Sequence, residues 1–137
     1  MTHQPVQRVI ARYQNGLVLK GHTRDFQPTL DRFHLLPADC FPGTPATEVL
    51  LSDLKGVFFV HRLDGDPAHR PTNEFEPTNI TPGLRIRVVF KDGEVLHGTT
   101  PGYGPDLHGF FLLPADERSN NERCFVLAAA TTEVSYL

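Results

Sequence analysis

Seven histidines, two recurring aspartates and two cysteines are the side chains in this 137-residue sequence that could hold a metal, move a proton or act as a nucleophile. His22, His34, His97 and His108 would meet if two parts of the chain packed face to face. Their spacing contains no H-E-x-x-H or comparable ligand pattern, so no metal site is assigned. Residues 33–39 read FHLLPAD and residues 110–116 read FFLLPAD, which puts His34 where the second copy has Phe111. A packing role for His34 is the simplest expectation. Asp39 and Asp116 end these two motifs. A catalytic carboxylate pair would need them side by side, whereas a turn after a strand needs an aspartate that accepts a hydrogen bond from the backbone two residues on. The turn is the expectation for both, and Asp25, Asp53 and Asp64 have no partner spacing that suggests more. Cys40 and Cys124 form no C-x-x-C pair and are expected as free thiols. With no G-x-S-x-G, phosphate loop or dinucleotide glycine fingerprint present, no catalytic residue and no cofactor is assigned.

The doubled motif belongs to a longer repeat. Displaced by 77 residues, segment 7–60 lies on 84–137 without a gap, and about seventeen of fifty-four aligned positions are identical. Gly16 meets Gly93, Gly21 meets Gly98, Pro28 meets Pro105, Leu30 meets Leu107, and Val49, Leu50 and Val57 meet Val126, Leu127 and Val134. Val9 with Ile86, Tyr13 with Phe90, Phe26 with Tyr103 and Phe59 with Tyr136 are conservative matches. The identities fall on apolar and turn residues, as expected of a duplicated structural unit. Between the copies, residues 61–83 carry four prolines, which deny the stretch a regular helix or a central strand. It reads as a linker or an ordered strap, tacked down by Phe75.

Each copy reads as about five short strands. Asn15-Gly16 and Asp92-Gly93 sit between apolar stretches, where both residues can take positive φ in a tight hairpin. With a two-residue loop, Val9, Ala11, Tyr13 and Val18 share an inward face, as do Ile86, Val88, Phe90 and Val95. Gly21 and Gly98 on the second strand mark a bulge, a bend or a close backbone approach. FHLLP and FFLLP form third strands ended by Pro37 and Pro114. TEVLLS with GVFFV, and RCFVLAA with EVSYL, supply the fourth and fifth. The fold class is therefore all-β: two tandem repeats, 7–60 and 84–137, each a small, strongly bent five-stranded antiparallel barrel, joined by the proline-rich linker 61–83.

YQNGLVLKG, residues 13–21, and FKDGEVLHG, residues 90–98, resemble the first signature of Sm-like and SH3-like small barrels. The resemblance implies the fold, with RNA binding or assembly through strand edges as its associated uses. GHTRDFQPT and GTTPGYGPD lack the Asp-to-Asn loop of the uridine-binding version, and the later Arg-Gly loop is at best echoed by Lys55-Gly56 against Thr132-Glu133, so no nucleotide pocket is carried over. The whole chain also resembles an uncharacterised bacterial family with paired LLPAD-type motifs, LKGVFFV and RSNNERCFV.

Composition narrows the uses. A formal net charge of −3 disfavours a general nucleic-acid binder, although Arg85, Arg87 and Lys91 lie close in sequence. The first residues lack a signal-peptide pattern and no apolar run is long enough to cross a bilayer, so a cytoplasmic protein without membrane contact is expected. LKGVFFVHR is the most apolar stretch, and Ser135 aligns with Phe58, so Phe58 is expected between the copies or against the linker. The leading expectation is a non-catalytic interaction or regulatory adaptor that binds another protein, with Phe58, Val60, Arg85, Arg87 and Lys91 as candidate surface. RNA or single-stranded nucleic-acid binding is the alternative, and a small-ligand or enzymatic site in the cleft between repeats is the third.

Overall fold

β-Branched and aromatic residues at alternate positions, punctuated by Gly, Pro and Asn, favour short strands over helices throughout. The computed structural model describes residues 5–65, 68–69, 72–75, 83–101 and 108–137, among which there is no α-helix. Ten strands follow in chain order. They are β1 (Gln7–Tyr13), β2 (Val18–Thr23), β3 (Arg32–Pro37), β4 (Thr47–Leu50), β5 (Leu54–Val60), β6 (Leu84–Phe90), β7 (Val95–Thr100), β8 (Gly109–Pro114), β9 (Asn121–Leu127) and β10 (Thr131–Tyr136). Single 3-10 turns, Leu51–Asp53 and Ala128–Ala130, join β4 to β5 and β9 to β10. The segment around Tyr103, Pro105 and Leu107 lies outside the described residues.

The register repeats with the sequence. Gln7 faces Thr23 as Leu84 faces Thr100, Gly21 faces Pro37 as Gly98 faces Pro114, and Val9 faces Phe59 as Ile86 faces Tyr136. Each pair in the second half is the first-half pair moved by 77 residues.

Two expectations meet a different arrangement. The first is closure. In place of two separate five-stranded barrels there is one open, ten-stranded antiparallel sheet in the order β10-β6-β7-β8-β9-β5-β1-β2-β3-β4. The fifth strand of the first half pairs with the fourth strand of the second, from Gly56 opposite Val126 to Val60 opposite Asn121. A single apolar cluster accordingly draws on both halves, from Val9, Phe33 and Leu35 to Ile86, Phe110 and Val126. The second is the hairpin loop. Tyr13 N–H donates to Leu17 O at 2.9 Å and Gly16 N–H to Tyr13 O at 3.1 Å, and Phe90, Glu94 and Gly93 repeat both bonds. The loop thus has three residues, with only Gly16 and Gly93 at positive φ, each +93°. The extra residue turns Val18 onto the face of Arg12, where it is exposed, while Val9 and Ala11 stay buried. Val95 is likewise moved off the Val88 face and is half-buried.

Alternation also explains why every residue of β5 is buried. Residues directly opposite in an antiparallel pair share a face. Val57 and Phe59 share the Val9 and Ala11 face and lie opposite Phe125 and Arg123. Phe58 lies on the other face with Cys124, which faces Leu112 in β8. The inward face of the first half thus continues as the outward face of the second, and each covers the other. Phe26, from the loop after β2, seals the first side with ring centroids 5.3 Å from Phe59 and 5.5 Å from Phe125.

Gly21 and Gly98 prove to be close-approach positions. A Cβ on Gly98 would stand 2.2 Å from Leu113 O and 2.7 Å from Leu112 Cδ2, and one on Gly21 would stand 2.1 Å from Leu36 O. Carbonyl oxygens held in a sheet cannot rotate away, so added bulk must push strands apart. Gly98→Ala is expected to cost about 3 kcal/mol, at the upper end of overpacking effects. Gly93→Ala meets no atom but must adopt positive φ, and should cost about 1 kcal/mol. Urea unfolding of the two variants measures the difference.

Candidate functional site

The joint between β5 and β9 is closed electrostatically as well as sterically. The Lys55 side chain is only 9% exposed, and its Nζ donates to Asp92 Oδ2 at 2.7 Å and to Glu94 in the opposite hairpin turn. It also lies 4.6 Å from the centre of the Phe90 ring. Arg12 Nη1 reaches Glu94 Oε1 at 3.4 Å, and its guanidinium lies over Phe58. The ammonium of Lys55, aided by the Glu94 N–H, holds the Asp92 carboxyl below the usual carboxylate range. A lysine this buried needs such partners.

Phe58 and Val60 are 3% and 4% exposed, so they pack inside the chain and present no surface to another molecule. The position opposite Cys124, with neighbours on both faces, is the reason. Of the basic candidates, Arg85 stacks on Phe75 at 4.3 Å, which ties the linker to β6, and Arg87 Nη1 lies 3.7 Å from Glu133 Oε1 in β10. Lys91 is exposed in the β6–β7 turn. Of the three, only Arg87 has a carboxylate partner among the described residues, and Arg85 and Lys91 are exposed.

Asp116 does more than shape a turn. Its Oδ1 accepts from Arg118 N–H at 3.0 Å, the bond two residues on that a turn aspartate makes. Its Oδ2 lies 2.6 Å from His69 Nε2 and accepts from Thr72 N–H at 3.1 Å, so it anchors the strap that follows β5. Burial pushes the Asp116 carboxyl up, but His69 and the two backbone N–H groups outweigh it and hold the group below its ordinary value. Asp39, its counterpart, is exposed. Asn73 adds a second anchor, donating to Val95 O at 3.0 Å and accepting from His97 N–H at 3.1 Å. Nothing in the spacing of residues 61–83 singles out His69 or Asn73, because both act through a carboxylate or backbone on distant strands.

The histidines are spread out. His97 lies against Asn73 and His108 is exposed, and no group of three or more His, Cys, Asp or Glu is placed to hold a metal among the described residues. His34 departs from the packing role expected of it. It is half exposed, and its Nδ1 lies 2.7 Å from Asp25 Oδ2 while its N–H donates to Asp25 Oδ1 at 2.9 Å. The difference from Phe111 follows from position. Phe111 packs on Phe125 and Phe59 in the joint, whereas His34 lies beside β4 at the end of the sheet. Burial raises the Asp25 carboxyl, but the His34 backbone and ring and the Thr23 hydroxyl hold it low. His22, Asp25, His34, Leu36, Thr44 and Ala46 border an open cavity of about 580 Å³ beside this pair. Cys40 and Cys124 are both free thiols, and burial pushes the Cys124 thiol far up. No helix among the described residues is long and apolar enough to cross a membrane.

The chain belongs to a family of unknown function, DUF6982, whose family model matches residues 5–137. No curated protein and no solved structure matches it.

The Asp116 anchor gives a signed pH dependence. A carboxylate held below its unfolded value contributes stability above the ordinary aspartate range and loses it as pH falls through that range toward the lowered folded value. Asp116→Asn should cost about 1.5–3 kcal/mol at neutral pH, the range for hydrogen bonds to a charged group. Its thermal midpoint should also fall less between pH 7 and pH 3 than that of the parent chain. Equal slopes would show that Asp116 does not carry the effect.

Proposed function

We propose that this member of a family of unknown function is a non-catalytic interaction module, built from a doubled five-stranded unit and binding another protein through the ends of its sheet. The observation that carries it is the open strand order: among the described residues β4 and β10 each pair on one side only, and both are partly exposed. An exposed strand edge presents backbone N–H and C=O groups that a partner strand can satisfy, with side-chain pockets at alternate positions giving specificity. The two copies, 7–60 and 84–137, meet through β5 and β9, so the first keeps its fourth-strand edge and the second its fifth-strand edge. Between the copies, His69 and Thr72 are held by Asp116, Asn73 by Val95 in β7 and Phe75 by Arg85. A protein is favoured over nucleic acid because the net charge is −3 and because Arg87 is paired with Glu133.

A photo-crosslinking residue placed at Thr47 in β4, at Ser135 in β10, or at Asn15 in the hairpin turn tests this in the native host. Adducts from Thr47 and Ser135, and none from Asn15, are expected. Adducts confined to Asn15 would move the binding surface away from the edges.

A further inference from the structure

The two free edges are the same pair of strands that already meet inside the chain. β5 and β9 are the fifth strand of the first half and the fourth strand of the second. β10 and β4 are the fifth strand of the second half and the fourth strand of the first. Resting on the edge-binding reading above, we infer that the occupant is a second copy of this chain, its β10 pairing antiparallel with β4 in the register of the internal joint and its Tyr136 entering the cavity beside His34.

Moving the internal register by 77 residues gives the pairing. Gly56 opposite Val126, Val57 opposite Phe125, Phe58 opposite Cys124 and Phe59 opposite Arg123 become Glu133 opposite Val49, Val134 opposite Glu48, Ser135 opposite Thr47 and Tyr136 opposite Ala46. In the internal joint Phe59 is buried under Arg123 at 4.3 Å and beside Phe111 at 6.4 Å. At the ends of the sheet both sides of that contact are open. Tyr136 is 60% exposed, and the positions equivalent to Phe111 and Arg123 are His34 and Ala46, which border the 580 Å³ cavity. Ala46 is small where Arg123 stands in the joint, so the cavity is open to the ring of Tyr136 but covers it less than Arg123 and Phe111 cover Phe59.

Charge does not bar the contact. Glu48 is paired with Arg32 at 3.1 Å and Glu133 with Arg87 at 3.7 Å, each on the neighbouring strand of its own sheet. The ends are more polar than the joint. Glu48 replaces Phe125, Ser135 replaces Phe58, and Thr132 stands where Lys55 makes its ion pairs. The contact between copies is therefore weaker than the joint within one chain, and reversible. It is also head-to-tail, so repetition gives a closed ring or a filament.

Sedimentation of the whole chain from low to high micromolar concentration tests the inference. The expected result is a mass that rises with concentration, at least a tenfold weakening in Tyr136→Asp, and at least a tenfold strengthening in His34→Phe/Ala46→Arg, which copies Phe111 and Arg123. In a Cys40→Ser background, Ala46→Cys with Tyr136→Cys should form a disulfide between chains, and Ala46→Cys with Thr132→Cys should not. A single-chain mass for both the parent and the double variant, or association untouched by Tyr136→Asp, overturns it. Crosslinks from Thr47 to a different protein would overturn the self-pairing and leave the edge reading standing. No adduct from either edge would remove both.

Discussion

Strand β5 has β1 on one side and β9 on the other, and all seven of its residues are buried. A strand at the margin of a small antiparallel sheet normally leaves one face to water. Here neither face is free, because Val57 and Phe59 complete the interior of the first half while Phe58 completes that of the second. Removing the second half would leave Phe58 and one backbone edge of β5 in water. Removing the first would leave Phe111 and Phe125 without Phe26 and Phe59. The buried side chains at the joint contribute about 2 kcal/mol each by transfer, so the two halves stabilise one another by an amount comparable to the whole stability of a small domain.

The charged groups follow from the same constraint. Once β5 is enclosed, Lys55 loses water, and Asp92 and Glu94, brought by the β6–β7 turn, restore partners. That turn is closed by Phe90 and Glu94 and tied by the Lys91 N–H to Ala130 O. Asp116 then holds His69 and Thr72, and Asn73 bonds to Val95 and His97, so these three residues lie against the second half of the sheet.

Much of this was legible in the sequence. The strands fell where the doubled apolar and glycine pattern put them, since Gly21 and Gly98 can be nothing larger beneath Leu36 and Leu113. The hairpin loop was one residue longer than the two-residue form, which displaced Val18, because Asn-Gly and Asp-Gly serve both loop types. Closure was not legible. The strand pattern is the same whether the fifth strand returns to its own fourth strand or passes to the other half, and only the asymmetric substitutions record the choice. Phe58 against Ser135 was such a sign, and so was Phe111 against His34. Taking His34 for a packing residue missed that the two positions lie at different ends of the sheet.

The central claim is that the β5–β9 joint makes two halves into one cooperative body. Native-state hydrogen exchange in Phe125→Ala measures it most directly, with amides in β2 reporting on the first half and amides in β7 on the second. The expected result is that both sets lose protection together and by the same free energy, although the substitution lies in the second half. Loss of protection confined to β7, with β2 unchanged, would contradict it.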